Sequence, residues 1–135
     1  MKKNEIKNSA DMFLYKAIVD LNSARCLLQA YNEDKIEIDI EKIYFELQQS
    51  AEKALKAMLT KNAIVFPKTH DIEQLLNICT ENNVRILDNA QLLEELIELS
   101  DYAVEGRYSI LRDDVNNSEK YCQIIEQIVK VALNA

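Results

Sequence analysis

The chain has 135 residues, a hydrophobic fraction of 48%, a charged fraction of 29% and a net charge of -7. That length fits one domain with a core of its own, and the acidic balance argues against wrapping a long polyanion. One glycine and one proline leave little material for tight turns, which predicts long helices. Nowhere do about 18 apolar residues run together, and the basic start Met1-Lys2-Lys3 lacks an apolar stretch behind it, so neither a membrane span nor a signal peptide is expected. Cys26, Cys79 and Cys122 are odd in number and widely spaced, and they read as reduced core or near-core thiols of a cytoplasmic protein.

Five helical segments follow in chain order. The first, about 8–31, repeats apolar residues at Phe13, Ala17, Leu21, Ala24, Leu28 and Tyr31, the three-and-four spacing of one helix face. The second, about 39–62, carries Ile40, Ile43, Tyr44, Leu47, Ala51, Ala54, Leu55 and Met58, with Asp39 available as an N-cap. A short third segment, capped by Thr69 or Asp71, holds Ile72, Leu75, Leu76 and Cys79. The fourth, from about Asp88 to near Arg107, uses Leu92, Leu93, Leu96, Leu99 and Ala103. The fifth, from about Asp114 onward, uses Tyr121, Ile124, Ile125, Ile128, Val131 and Ala132. Strand-like alternation is absent. The pattern predicts an all-α protein: an antiparallel up-and-down four-helix bundle over residues 1–135, with an additional short helix in the crossover between the second and fourth segments.

Several chemistries are excluded by residue supply. Di-iron bundles need Glu-x-x-His pairs, and the single histidine, His70, has Pro67 three residues before it. Zinc needs a closed Cys/His set, and no two cysteines lie within knuckle spacing. Gly106, the only glycine, cannot make a phosphate loop. No metal and no cofactor are expected.

The stretch from Ala51 to Asp71 is the best functional lead. It places the only proline and the only histidine beside Lys53, Lys56, Lys61 and Lys68; four lysines against Glu52 and Asp71 leave a local +2, the charge of an anion-binding surface. Pro67 stops the second helix, so His70 opens the next one. Glu52 and Lys56, four apart, read equally as a solvated helix pair, and Gln48 sits at the edge of the apolar stripe. In the fourth segment Leu92, Leu96, Ala103 and Arg107 share one direction at about 100° per residue, so a guanidinium lies in line with the core stripe. Arginine keeps its charge and needs either a carboxylate, Glu52 or Asp101, or an anionic ligand beside Tyr108, whose ring suits stacking on a base or ribose.

Taken in order, Gln48–Leu59 (Gln-Gln-Ser-Ala-Glu-Lys-Ala-Leu-Lys-Ala-Met-Leu), Phe66–Asp71, Leu75-Leu76 and Ser100–Tyr108 (Ser-Asp-Tyr-Ala-Val-Glu-Gly-Arg-Tyr) resemble the HEPN family of small helical domains across most of the chain. The resemblance implies a four-helix bundle with an added short helix, commonly a homodimer, associated with nucleotide or RNA binding and often paired with a minimal nucleotidyltransferase as toxin and antitoxin. Ribonuclease members carry an arginine followed by histidine after four to six residues; none of Arg25, Arg85, Arg107 or Arg112 has a histidine in that window, and Ser109 stands where a proline commonly follows the Arg-Tyr pair.

The expected function is a nucleotide- or RNA-binding module with Lys53, Lys56, His70, Asp101, Arg107 and Tyr108 as ligand-binding candidates and no catalytic residue. Neither DNA nor a membrane is an expected partner. Two readings compete with it: a non-catalytic interaction and dimerisation protein, and a metal-independent ribonuclease with a non-standard site built on His70 and Arg107.

Overall fold

The computed structural model describes residues 1–87, 89–104 and 116–135. After a single 3-10 turn at Lys3–Glu5, helix α1 spans Ser9–Asn32, α2 Ile40–Lys61, α3 Ile72–Glu81, α4 Ala90–Val104 and α5 Asn116–Asn134. The fold is all-α, with no strand among the described residues.

Helix α2 is the central element and packs against each of the other four. The bundle's directions follow from a few pairs. Phe66, just beyond the end of α2, meets Phe13 near the start of α1 with ring centroids 6.3 Å apart, so α1 and α2 run antiparallel. Tyr44 and Tyr121 meet edge-on at 5.9 Å near the starts of α2 and α5, while the Lys61 ammonium donates to the Ala132 carbonyl near their ends, so α2 and α5 run parallel. Up-and-down connectivity requires that relation between its second and last long helices. α3 lies in the crossover and packs on α2 and α4.

The core draws on every helix: Leu14 and Leu21, Ile43, Tyr44 and Leu47, Ile72 and Leu75, Leu96 and Leu99, and Tyr121, Ile124 and Ile128 are all buried. Small residues bring α1 and α2 together. Ala17, Ala24, Ala51, Ala54 and Ala57 are all fully buried, and the buried Ser50 hydroxyl donates to the Ala17 carbonyl at 2.6 Å. A larger side chain there would force the two helices apart.

The helix starts follow capping chemistry, although not always at the expected residue. Asn8 Oδ1 accepts from the Asp11 amide at 2.8 Å while Asp11 Oδ2 accepts from the Lys7 amide, a reciprocal arrangement close to a capping box. Asp71 rather than Thr69 caps α3, accepting from the Glu73 amide, and Thr69 Oγ1 accepts from the Asp71 amide. His70 therefore sits in the connector, two residues before Ile72, instead of opening the helix. Asp39 precedes α2 without a side-chain cap, its carbonyl accepting from Lys42 instead. Asn89 Oδ1 accepts from the Gln91 amide at the start of α4, so the helix begins later than Asp88, which lies outside the described residues together with Asp114 and Arg107.

Three helices terminate in a left-handed residue without using glycine. Asp34, Ala63 and Asn83 have φ of 55, 56 and 58°. In each case the next amide bonds back to the carbonyl five residues earlier: Lys35 to Ala30, Ile64 to Leu59, and Val84 to Cys79. This is the Schellman arrangement, and Ile64 and Val84 pack on the core as its apolar closing contact. Aspartate and asparagine tolerate that backbone, whereas alanine is strained there by about 1–2 kcal/mol. Ala63→Gly is expected to stabilise the fold by about 0.5–1 kcal/mol and raise the melting temperature by about 2–4 °C, the residual after glycine's greater unfolded-state freedom. A thermal melt checks this.

The cysteines divide. Cys79 and Cys122 are buried as expected, but Cys26 is exposed on α1. Burial pushes the Cys79 thiol up to about 11. It also raises Cys122, against the opposing influence of the neighbouring Arg25 guanidinium. A thiol held protonated reacts slowly with alkylating reagents. Iodoacetamide at mildly alkaline pH is therefore expected to label Cys26 alone in the folded protein and all three residues after denaturation, as read by peptide mass mapping.

Candidate functional site

The centre of the candidate site is Glu52, on the fourth turn of α2. Its side chain is 3% exposed, and Oε1 receives two donors: Lys56 Nζ at 2.8 Å, from the next turn, and His70 Nδ1 at 2.7 Å, from the connector ahead of α3. The second oxygen, Oε2, is buried with no hydrogen-bond partner among the described residues. A carboxylate taken out of water needs such donors, and one oxygen serving two of them while the other serves none leaves the group under-compensated.

The connector is held against α2 by the same cluster. Phe66 leans on Phe13, and the Lys56 ammonium lies 6.0 Å from the Phe66 ring centroid, within the range of a cation–π contact. Pro67 keeps the chain from turning helical too early, which delivers His70 back over Glu52. The imidazole is 85% exposed although its Nδ1 is anchored on a buried group. With Glu52 ionised, Nδ1 carries the hydrogen and the outward Nε2 is the acceptor; a protonated ring presents Nε2–H instead, with Glu52 as its counter-charge.

Of the sequence-selected residues, Lys56 and His70 are thus brought together, and the Glu52–Lys56 pair is a buried ion pair rather than a solvated one. Lys53 is occupied elsewhere: its Nζ lies 2.5 Å from Asp20 Oδ2, joining α2 to α1. Lys61 is used by the Ala132 carbonyl at the end of α5, where a cation suits the negative end of the helix. The local +2 of the sequence is therefore reduced in space, since Asp20 joins it from α1. Asp101 falls on α4, whose buried Leu96 and Leu99 face the core, but its side chain lies outside the described set, as do Arg107 and Tyr108. Gln48 is buried rather than at an edge.

The sequence offered no route to Glu52 as the hub. Its polar neighbours at i±4 made it look solvated; the one signal was its phase, one residue after the buried Ala51 and three before the buried Leu55. Asp20, the partner of Lys53, was missed as well, for want of any way to read a pair 33 residues apart.

Elsewhere, one surface groove is lined by Arg25, Gln29, Glu119, Cys122 and Glu126 between α1 and α5, where Arg25 and Glu126 pair at 2.8 Å and the guanidinium holds the Glu126 carboxyl below its usual range. Two others meet at Asn83, Val84 and Arg85, after α3. None of these three includes His70. Among the described residues no group of His, Cys, Asp and Glu is gathered as a metal site, and no helix is long and apolar enough to cross a membrane.

The architecture is that of an all-α bundle domain with a crossover helix and a carboxylate-anchored histidine beside it. The family profile of the HEPN domain matches residues 10–135, nearly the whole chain, and the protein belongs to that family, a class of nucleotide- and RNA-associated helical modules. No curated protein and no solved structure matches it at a significant level.

Proposed function

We propose that this HEPN domain binds a nucleotide or an RNA end and works as a cytoplasmic homodimer with a minimal nucleotidyltransferase, in a toxin–antitoxin-like pair. The observation that carries the ligand reading is the exposed His70 ring anchored through Nδ1 on the buried Glu52. An anchored imidazole presents its free nitrogen in a fixed direction and, when protonated, offers a charge-assisted donor to a phosphate oxygen. With Lys53 and Lys56 committed to Asp20 and Glu52, the cations available to an anion are His70, the exposed Lys68 and the candidate Arg107, with Tyr108 as the candidate stacking ring and Asp101, on α4, as the remaining candidate. This set suits one phosphate group better than a strand, in keeping with the net charge of -7.

The missing Arg-to-His spacing supports a binding role rather than strand cleavage. The purified protein is expected to leave a structured RNA intact; cleavage that disappears in both His70→Ala and Arg107→Ala at unchanged stability would make it an enzyme. Calorimetry with nucleoside mono-, di- and triphosphates and a short 5'-phosphorylated RNA tests the binding reading, which predicts saturable binding that weakens in His70→Ala.

The pairing of Lys53 and Lys56 with carboxylates also favours one competing reading, a helical interaction protein without a ligand. Absence of binding across the whole panel, together with co-purification of a nucleotidyltransferase, would select it.

A further inference from the structure

His70 contributes little to the packing of the fold. Asp71 caps α3 by accepting from the Glu73 amide, Thr69 Oγ1 accepts from the Asp71 amide, and Phe66 leans on Phe13 and Lys56, so the connector is held on both sides of the histidine by other groups. A histidine kept for packing would have its ring buried. Here the ring is 85% exposed and only Nδ1 is committed, 2.7 Å from a carboxylate oxygen that is itself buried.

In the neutral ring that contact places the hydrogen on Nδ1 and leaves the lone pair on Nε2, facing solvent. Attack by this lone pair on an electrophile turns the ring into an imidazolium. The new positive charge is met by Glu52, whose Oε1 already holds the Nδ1 hydrogen and whose Oε2 has no hydrogen-bond partner among the described residues. Lys56 shares Oε1 at 2.8 Å and offsets part of that effect without removing it. A buried carboxylate behind one nitrogen of an exposed imidazole is thus the arrangement of an activated nitrogen nucleophile.

We propose that His70 Nε2 is a phosphoryl acceptor, modified by a small donor of the phosphoramidate class, with Glu52 as its positioning residue. Two observations select such a donor. From Lys61 to His70 the chain carries Lys61, Lys68 and His70 and no acid, on a protein of net charge -7, so the connector presents a locally positive field to an approaching anion. His70 also lines none of the three grooves described above. A donor that reacts there from open solution must bring its own activated leaving group. The Nε2 lone pair forms the new N–P bond as the donor's P–N bond breaks. Phosphoramidate carries its amine protonated, so ammonia leaves with the bonding electron pair, and the phosphorylated imidazolium keeps its Nδ1–H on Glu52. This inference goes beyond the binding reading and stands without it. Both uses draw on the same nitrogen and exclude each other, and the about two negative charges of a phosphoryl group would reverse the sign of the connector.

The test treats the full chain with potassium phosphoramidate at neutral pH and follows it by intact mass, peptide mapping and phosphorus NMR. One phosphoryl group is expected on His70, attached at Nε2 alone and formed about tenfold faster than on N-acetylhistidine. Glu52→Gln retains a carbonyl acceptor for the Nδ1 hydrogen but not the charge, and is expected to slow the reaction about tenfold at unchanged far-ultraviolet circular dichroism. His70→Ala is expected to give no product. A merely structural Glu52 would move the melting temperature and leave the rate where it was. Attachment at Nδ1, a rate no faster than that of N-acetylhistidine, or equal rates in the wild type and Glu52→Gln overturns the proposal. If Glu52→Gln does not fold, the attachment site and rate of the wild-type protein decide it. No nucleotide enters the experiment, so its outcome is separate from that of the binding reading.

Discussion

Glu52→Ala is expected to destabilise the fold by about 3–5 kcal/mol, the usual cost of removing one partner from a buried ion pair. The reason is what remains behind. Lys56, with its side chain 13% exposed, would keep its charge in a site where no other carboxylate among the described residues pairs with it, and the connector would lose its tie to α2 through His70. At this chain length the loss corresponds to a fall of about 10–20 °C in melting temperature. His70→Ala removes only the exposed end of the same cluster and is expected to cost less than about 1 kcal/mol. Chemical denaturation of the two variants side by side checks the contrast. Equal, small losses would mean that water reaches Glu52 and Lys56 freely.

Arg107→Ala is expected to weaken nucleotide binding by about 1.5–3 kcal/mol, roughly a 10- to 150-fold rise in Kd, while helical content stays the same. The expectation comes from the sequence alone: at about 100° per residue Arg107, which lies outside the described residues, is in phase with Leu92, Leu96 and Ala103. The opposite pattern, no binding in either protein and several degrees lost on substitution, would make Arg107 a structural ion-pair residue. Glu52 Oε2, buried without a hydrogen-bond partner among the described residues, is the acceptor such a structural role would use.

The helices were legible because burial imposes a periodicity that each apolar stripe records locally. Ile43, Tyr44, Leu47, Ala51, Ala54 and Leu55 were assigned to one face of α2 by spacing alone, and all are fully buried. Helix ends were less legible, since a chain with one glycine must place its left-handed residues elsewhere. The shared pattern of Thr60-x-Asn62-Ala63-Ile64 and Thr80-x-Asn82-Asn83-Val84 could have marked two of them: in both, the asparagine amide donates to the carbonyl four residues back, Met58 or Ile78. The site was legible only in part. His70 and Lys56 were chosen from composition, and they do converge. Their convergence depends on Glu52, whose burial is set by the connector folding back over α2, a contact 18 residues apart in sequence. Lys53 looked like part of the same basic patch because linear charge counting cannot see Asp20 on another helix.

His70 is the only histidine, so its ring resonances in a carbon–proton correlation spectrum report on this one side chain. Titrating the full chain with a nucleoside monophosphate and then with a short 5'-phosphorylated RNA is predicted to shift the His70 ring signals saturably, with smaller shifts in Arg107→Ala at equal ligand. Ring signals that stay in place while ligand saturates the protein would put the binding surface elsewhere and contradict the role given to the Glu52-anchored histidine.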